Sequence, residues 1–292
     1  MEARFLVRFF NRALLLLTLS LHATAALDNI VLLAEKRSPV LEKLQQQLQT
    51  IAPNFSYKIS TPGSAISIQP DDYVISVGRS AASHFDYAKH SRNISVLLTS
   101  EQCEKLNVQT CIWIEPPLTR QLRLANLVLP GNKKIGFLVN NKQQAEQVLS
   151  ELSDAQREML KVVALDDYEN INQALFNALK NTRLLLGHYN NKIYSANNIK
   201  NILITSYRQH KVLVGPSRAY LKAGSFATTF SGLSHVAQRI VDVIKHHKDT
   251  KSWLVPGYNP YYKILFNQQV ARSLNIRVAN DELLEQRMRE EK

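Results

Sequence analysis

Reactive and metal-binding patterns are scarce in this chain. Its 292 residues include two cysteines, nine glycines, three methionines and two tryptophans. Gly78 stands outside any G-x-G-x-x-G run, and no G-K-S/T follows it, so the sequence carries no nucleotide-binding fingerprint there. There is no G-x-S-x-G elbow, no S-x-x-K and no papain-like cysteine context. H-E-x-x-H and D-x-D-x-D-G are missing too. His246 and His247 are adjacent, and neighbours on a helix point apart, which is poor metal geometry. The expectation is a protein that is not an enzyme, with no cofactor and no metal.

The two cysteines, Cys103 and Cys111, have seven residues between them. That spacing suits neither a redox C-x-x-C nor a zinc site. In an oxidising compartment they can pair, closing a short loop worth about 2.6 kcal/mol in the chain-entropy model. Two buried thiols are the alternative.

No apolar run is long enough to span a bilayer, which takes about 20 residues. The longest, Ala13–Leu21, follows Arg4, Arg8 and Arg12 and precedes Ala23-Thr24-Ala25. A basic start, a short apolar centre and a small-residue exit predict an export signal over residues 1–25, cleaved after Ala25 into the periplasm. Removing it takes away three arginines and one glutamate, lowering the formal charge from +12 to +10. The remaining basic residues are scattered, with no run longer than two. A solvated basic surface is expected, with no nucleic-acid partner.

What is present is alternation. Asn29–Ala34 is a continuous apolar strand of the kind buried on both faces. Ser38 suits an N-cap and Pro39 a first helical position, starting a helix to about Ile51. Strands follow at Phe55–Ser60, Tyr73–Val77, Ile94–Leu98 and Cys111–Ile114, with helices at Arg79–Tyr87 and Glu101–Leu106. Glu115-Pro116-Pro117 is the clearest boundary, because prolines disfavour helix in the residue before them. A second alternation begins at Thr119 and runs through strands Ile135–Val139, Val162–Leu165, Arg183–Leu186 and Lys211–Val214. Alternation on this scale implies an α/β fold with largely parallel sheets in two similar halves. The charged tail, Asp281–Lys292, is expected to be a solvated helix or a frayed end.

The run ILITSYRQHKVLVGPSRAYLKAGSFATTF, with VAQRIVDVI and YYKILFNQQVARSLNI after it, resembles the ABC-transporter substrate-binding protein family of the type 1 periplasmic binding fold. EPPLTRQLRLANLVLPGNKKIGFLVN extends the resemblance upstream, so that it covers about Val96 to Ile276. It implies two Rossmann-like lobes joined by a three-strand hinge, with 26–117 plus 228–251 in one lobe and 118–227 plus 252–280 in the other. The hinge connections would lie near Glu115–Pro117, Gly224–Thr229 and Ser252–Gly257. The implied function is capture of a small molecule between the lobes by a monomer and delivery to an ABC permease. A periplasmic sensory or accessory module signalling to a membrane receptor or kinase is the alternative.

Ligands of open α/β sheets sit at the carboxyl ends of the strands. In the first lobe that makes Glu35, Ser38, Gly78, Arg79, Ser80, Thr99 and Ser100 candidates for a ligand site, each group preceding a helix whose N–H groups are free, with ordinary helix capping as the alternative. The second-lobe equivalents are Asn140, Asn141, Asp166, His188, Tyr189, Asn190 and Ser217, with Tyr220 close by. Members of the family often carry an Asp after the strand matched by Leu184–Leu186. Gly187-His188-Tyr189 stands there instead, which puts an amino-acid ligand in doubt.

Overall fold

The computed structural model describes residues 28–85, 92–106, 108–276 and 281–290. The expected export signal and the far end of the expected Arg79–Tyr87 helix lie outside them. In the first half, β1 (Asn29–Leu33), α1 (Pro39–Ile51), β2 (Ser56–Ser60) and β3 (Tyr73–Val77) come first. Next are α2 (Arg79–Ser83), β4 (Asn93–Leu98), α3 (Ser100–Leu106) and β5 (Cys111–Trp113). The second half opens with α4 (Leu118–Val128), β6 (Lys134–Val139), α5 (Lys142–Ser150), α6 (Asp154–Glu158) and β7 (Leu160–Ala164). It continues through α7 (Ile171–Leu179), β8 (Thr182–Leu186), α8 (Ile199–Arg208), β9 (Val212–Val214), α9 (Arg218–Ala223) and β10 (Ala227–Phe230). The last elements are α10 (Leu233–Thr250), β11 (Gly257–Tyr258), β12 (Lys263–Phe266), α11 (Gln268–Ser273) and α12 (Asp281–Glu290).

Two six-stranded sheets result, ordered β2-β1-β3-β4-β5-β11 and β7-β6-β8-β9-β10-β12. Every pairing is parallel except β12 against β10. The two orders are the same doubly wound pattern, which explains why the halves read alike in sequence. Helices cover both faces of each sheet, so the central strands carry unbroken apolar runs: Ile30–Leu32 and Ile135–Val139 are buried throughout, with Gly136 directly under a helix. Helix α1 begins as its sequence requires, with Ser38 Oγ accepting from the Leu41 amide at 3.3 Å and Pro39 at the first turn.

The chain crosses between the sheets three times. The first crossing is at Ile114–Pro117, as the proline pair suggested. The second comes at Ser231-Gly232, because β10 pairs inside the second sheet while α10 packs its apolar side on the first. The third comes at Asn259–Tyr262, since Gly257-Tyr258 still pairs with Ile112-Trp113. Both lie a few residues beyond the expected connections at Gly224–Thr229 and Ser252–Gly257. The crossings are tied together. Arg120 donates to the Asn259 carbonyl at 2.8 Å and lies over the Tyr262 ring, and Ser231 Oγ donates to the Tyr261 carbonyl at 2.7 Å. Burial lowers the Arg120 pKa to about 10.

The charged tail is a second departure. Helix α12 buries Leu284 and Met288 in the core of the second half, beside Leu118 and Leu122. These two apolar residues, four apart, form one helical stripe among the charges and hold the helix to α4.

Cys103 and Cys111 are joined in a disulfide. It fastens α3 to β5 within a small cluster with Ala82, Leu98 and Val108. Denatured, unreduced protein should therefore titrate no free thiol, and reduction should lower stability by about 2.6 kcal/mol in a urea melt. Two titratable thiols would show that the bridge does not form in solution.

Candidate functional site

A cleft of about 540 Å³ opens where the strand ends of the two sheets face each other. The first half contributes Thr99 and Ser100 after β4, Glu101 on α3, and Glu115 after β5. The second contributes Asn140 and Asn141 after β6, and His188, Tyr189, Asn190 and Lys192 after β8. One side of α5 adds Gln144, Gln147 and, just past the helix, Glu151; Tyr258 of β11 closes the rim.

Local chemistry builds each wall. Strand β4 ends in a bulge: its pairing with β5 shifts between Val96 and Leu98, and Leu97 takes a left-handed φ of 59°. An extra residue there re-aims the chain that follows, which is Thr99-Ser100. Thr99 and Gln102 satisfy each other's amides at 3.1 and 3.2 Å. The Ser100 amide donates to Glu115 Oε1 at 2.6 Å. Opposite, Asn141 caps α5 by accepting from the Gln144 amide at 2.9 Å. Gln144 Oε1 accepts from the Asn140 amide at 2.7 Å and from Asn190 Nδ2 at 3.1 Å. Asn190 Oδ1 in turn accepts from the amides of Lys192 and Ile193, so the loop after β8 is held as a rigid turn. Tyr258 stacks edge-on against Trp113 and donates to Glu151 Oε2 at 3.3 Å, bridging the halves.

Burial sets the charge states. Burial raises the Glu115 carboxyl above its ordinary range, and the nearby Glu151 adds to this. Burial also raises the hydroxyls of Tyr189 and Tyr258, helped by the negative charge of Glu115. His188 is pushed down to about 4 by burial, so its ring is neutral at neutral pH. Its Nε2 lies 3.1 Å from the Leu138 carbonyl, and a neutral ring donates there. The ring lies 4.9 Å from Phe137 and 6.0 Å from Tyr194.

Of the strand-end residues singled out from sequence, the cleft gathers Thr99, Ser100, Asn140, Asn141, His188, Tyr189 and Asn190. It does not gather Glu35, Ser38, Gly78, Arg79, Ser80, Asp166 or Ser217. Those residues sit on neighbouring loops of the same sheet edges: Glu35, Arg79 and Asp166 are exposed, and Ser38 is a helix cap. Gly78 takes a φ of 82°, which explains the glycine without a ligand. Tyr220 is a core residue, 3% exposed and edge-on to Tyr194. Thus the second half uses the reversal point of its strand order, between β6 and β8, whereas the first uses the β4–β5 side.

Sequence reasoning missed Glu115, Gln144, Gln147, Glu151, Lys192 and Tyr258. Glu115 ends a strand like the others, and the same rule would have found it had the prolines not marked it as a boundary. Gln144, Gln147 and Glu151 share one helical side, a pattern indistinguishable from a solvated helix surface.

No protein-family model matches the chain, and no curated protein sequence does. Solved structures do. A substrate-binding protein with adhesive properties from Clostridium difficile, in its ligand-free, open structure, matches with a TM-score of 0.62 at 9% identity, covering 87% of this chain and 97% of that one. A conserved domain protein from Vibrio cholerae matches at TM-score 0.51 and 15% identity, covering 89% and 98%. An ABC domain in complex with L-Trp from Streptococcus pneumonia matches at TM-score 0.51 and 16% identity, covering 88% and 97%. At these identities the likeness concerns the fold alone: two α/β halves, each built on a largely parallel six-stranded sheet.

Proposed function

We propose that this chain is a periplasmic solute-binding protein, exported through residues 1–25, that captures a small molecule between its halves and delivers it to an ABC importer permease. The observation that carries this reading is the cleft itself, walled by strand ends of both sheets. At about 540 Å³ it falls within the range of small-molecule sites. Three crossing segments are few enough to act as a hinge, and a ligand touching both walls stabilises the closed arrangement by its differential contacts. The substrate-binding protein and the L-Trp complex among the structural matches support the class of activity. No covalent step is part of the mechanism. The cleft residues orient and desolvate the solute, and the permease reads the closed form.

The test is a thermal-shift screen of amino acids, amines, sugars, purines and small anions. A true ligand at a hundredfold its Kd should add about 2.7 kcal/mol to stability. Tyr189→Ala combined with Gln147→Ala, both exposed side chains on the cleft wall, should remove the rise while leaving the ligand-free midpoint near its original value. A rise that survives both substitutions would place the site elsewhere.

A further inference from the structure

The cleft differs in charge from the molecule around it. The chain carries a formal +12, yet three carboxylates and one ammonium line the cleft: Glu101, Glu115 and Glu151 against Lys192. Two of the carboxylates have a partner. Glu101 pairs with Lys105 at 2.5 Å, and Glu151 accepts from the Tyr258 hydroxyl. Lys192 is exposed. Glu115 is different. It is 9% exposed, and its Oε1 accepts from the Ser100 amide while its buried Oε2 accepts no hydrogen bond from the protein. Glu115 lines the cleft together with Tyr189 of the second half and Tyr258 of the first, and its negative charge raises the hydroxyls of both.

A carboxylate withdrawn from water with one oxygen unmatched is costly unless a donor arrives, and a cationic donor offsets most of that cost. The two tyrosines that line the cleft with Glu115 have ring faces, which attract cations as well. His188, at the end of β8 on the other wall, is neutral. The acidic group therefore comes from the opposite wall. We propose that the cleft takes an organic cation, a small solute whose positively charged nitrogen meets Glu115 Oε2 between Tyr189 and Tyr258. This rests on the cleft being the binding site. The nitrogen reaches Oε2 when the walls part, the same motion that capture requires.

The full exported chain, titrated by calorimetry at pH 8, tests it with matched pairs that differ in charge. The probes are tyramine against para-ethylphenol, choline against its uncharged dimethylbutanol isostere, and putrescine against butanediol. At least one amine should bind about tenfold or more tighter than its neutral partner, as expected of a hydrogen bond to a charged group. Glu115→Gln, which keeps an oxygen for the Ser100 amide, should weaken that amine about tenfold or more and leave the neutral partner unchanged. Should that variant fail to fold, the paired comparison on the unaltered protein decides. Equal binding within every pair, or a preference for neutral or anionic solutes that Tyr189→Ala and Gln147→Ala abolish, overturns the cation and leaves the cleft standing. If neither these probes nor any solute of the wider screen binds, the cleft reading falls as well.

Discussion

Gly136→Ala should unfold the second half of the molecule at a markedly lower denaturant concentration than the parent, with a loss of about 3 kcal/mol or more. Gly136 lies in the middle of β6, and α7 rests directly on it. A methyl group added there would sit 2.4 Å from the Ala178 carbonyl oxygen and 3.1 Å from its carbonyl carbon. Both are backbone atoms of a helix whose Ala174, Leu175 and Ala178 are fully buried, so nothing flexible can give way. The helix must lift, and lifting it opens the core formed by Leu138, Leu175, Leu185 and Ile202. Overpacking typically costs about 1–3 kcal/mol, and a backbone obstacle puts this site at the upper end. The ends of β6 and β8 carry Asn140 and His188, so ligand capture should fail along with stability. Gly257→Ala is the control: its nearest neighbour is 3.9 Å away, and it should change stability by no more than about 0.5 kcal/mol. A Gly136→Ala protein with an unshifted midpoint would mean that α7 does not pack as described.

Lowering the pH from 7.5 to 4.5 should cost the protein stability that a His188→Gln variant does not lose. The unfolded chain binds a proton at His188 near the ordinary pKa of 6.5, while the folded chain resists until about 4. Protonation thus favours the unfolded state. The contribution is complete above pH 6.5 and is lost as the pH falls from 6.5 towards 4. A gap of that size corresponds to about 3 kcal/mol. Glutamine at 188 can still donate to the Leu138 carbonyl but takes no proton. His235 and His247 are also lowered by burial and add to the acid loss, whereas Glu115, raised by burial, offsets part of it. These groups are common to both proteins, so the difference between their urea midpoints isolates His188. Parallel pH profiles would show that the ring is not buried in its neutral form.

Much of the architecture is legible in the sequence because its causes are local. The unbroken apolar run at Ile30–Leu32 needs cover on both faces, and Ser38-Pro39 suits the start of a helix. Pro116-Pro117 stiffens the passage between two stretches of alternating strand and helix. The site is only half legible. Thr99, Ser100, Asn140, Asn141, His188, Tyr189 and Asn190 follow strand ends, where a general rule points. That rule names the loops at an edge without saying which of them meet, and so Glu35, Arg79 and Asp166 satisfy it equally while lying outside the cleft. Tyr189 and Tyr220 look alike in sequence, yet one lines the cleft and the other packs in the core against Tyr194.

From its residues alone the chain is an α/β protein of two similar parallel halves, because burial on both faces and short-range capping are written into segments of five to thirteen residues. Which loops face each other was decided only in three dimensions. The Ser100 amide meets Glu115 across 15 residues, and Tyr258 meets Glu151 across 107. Contacts of that reach depend on how the two sheets are hung on the crossing strands. The unmatched oxygen of Glu115 exists only because of that placement, since a glutamate after a strand becomes a buried charge when a second wall is brought over it.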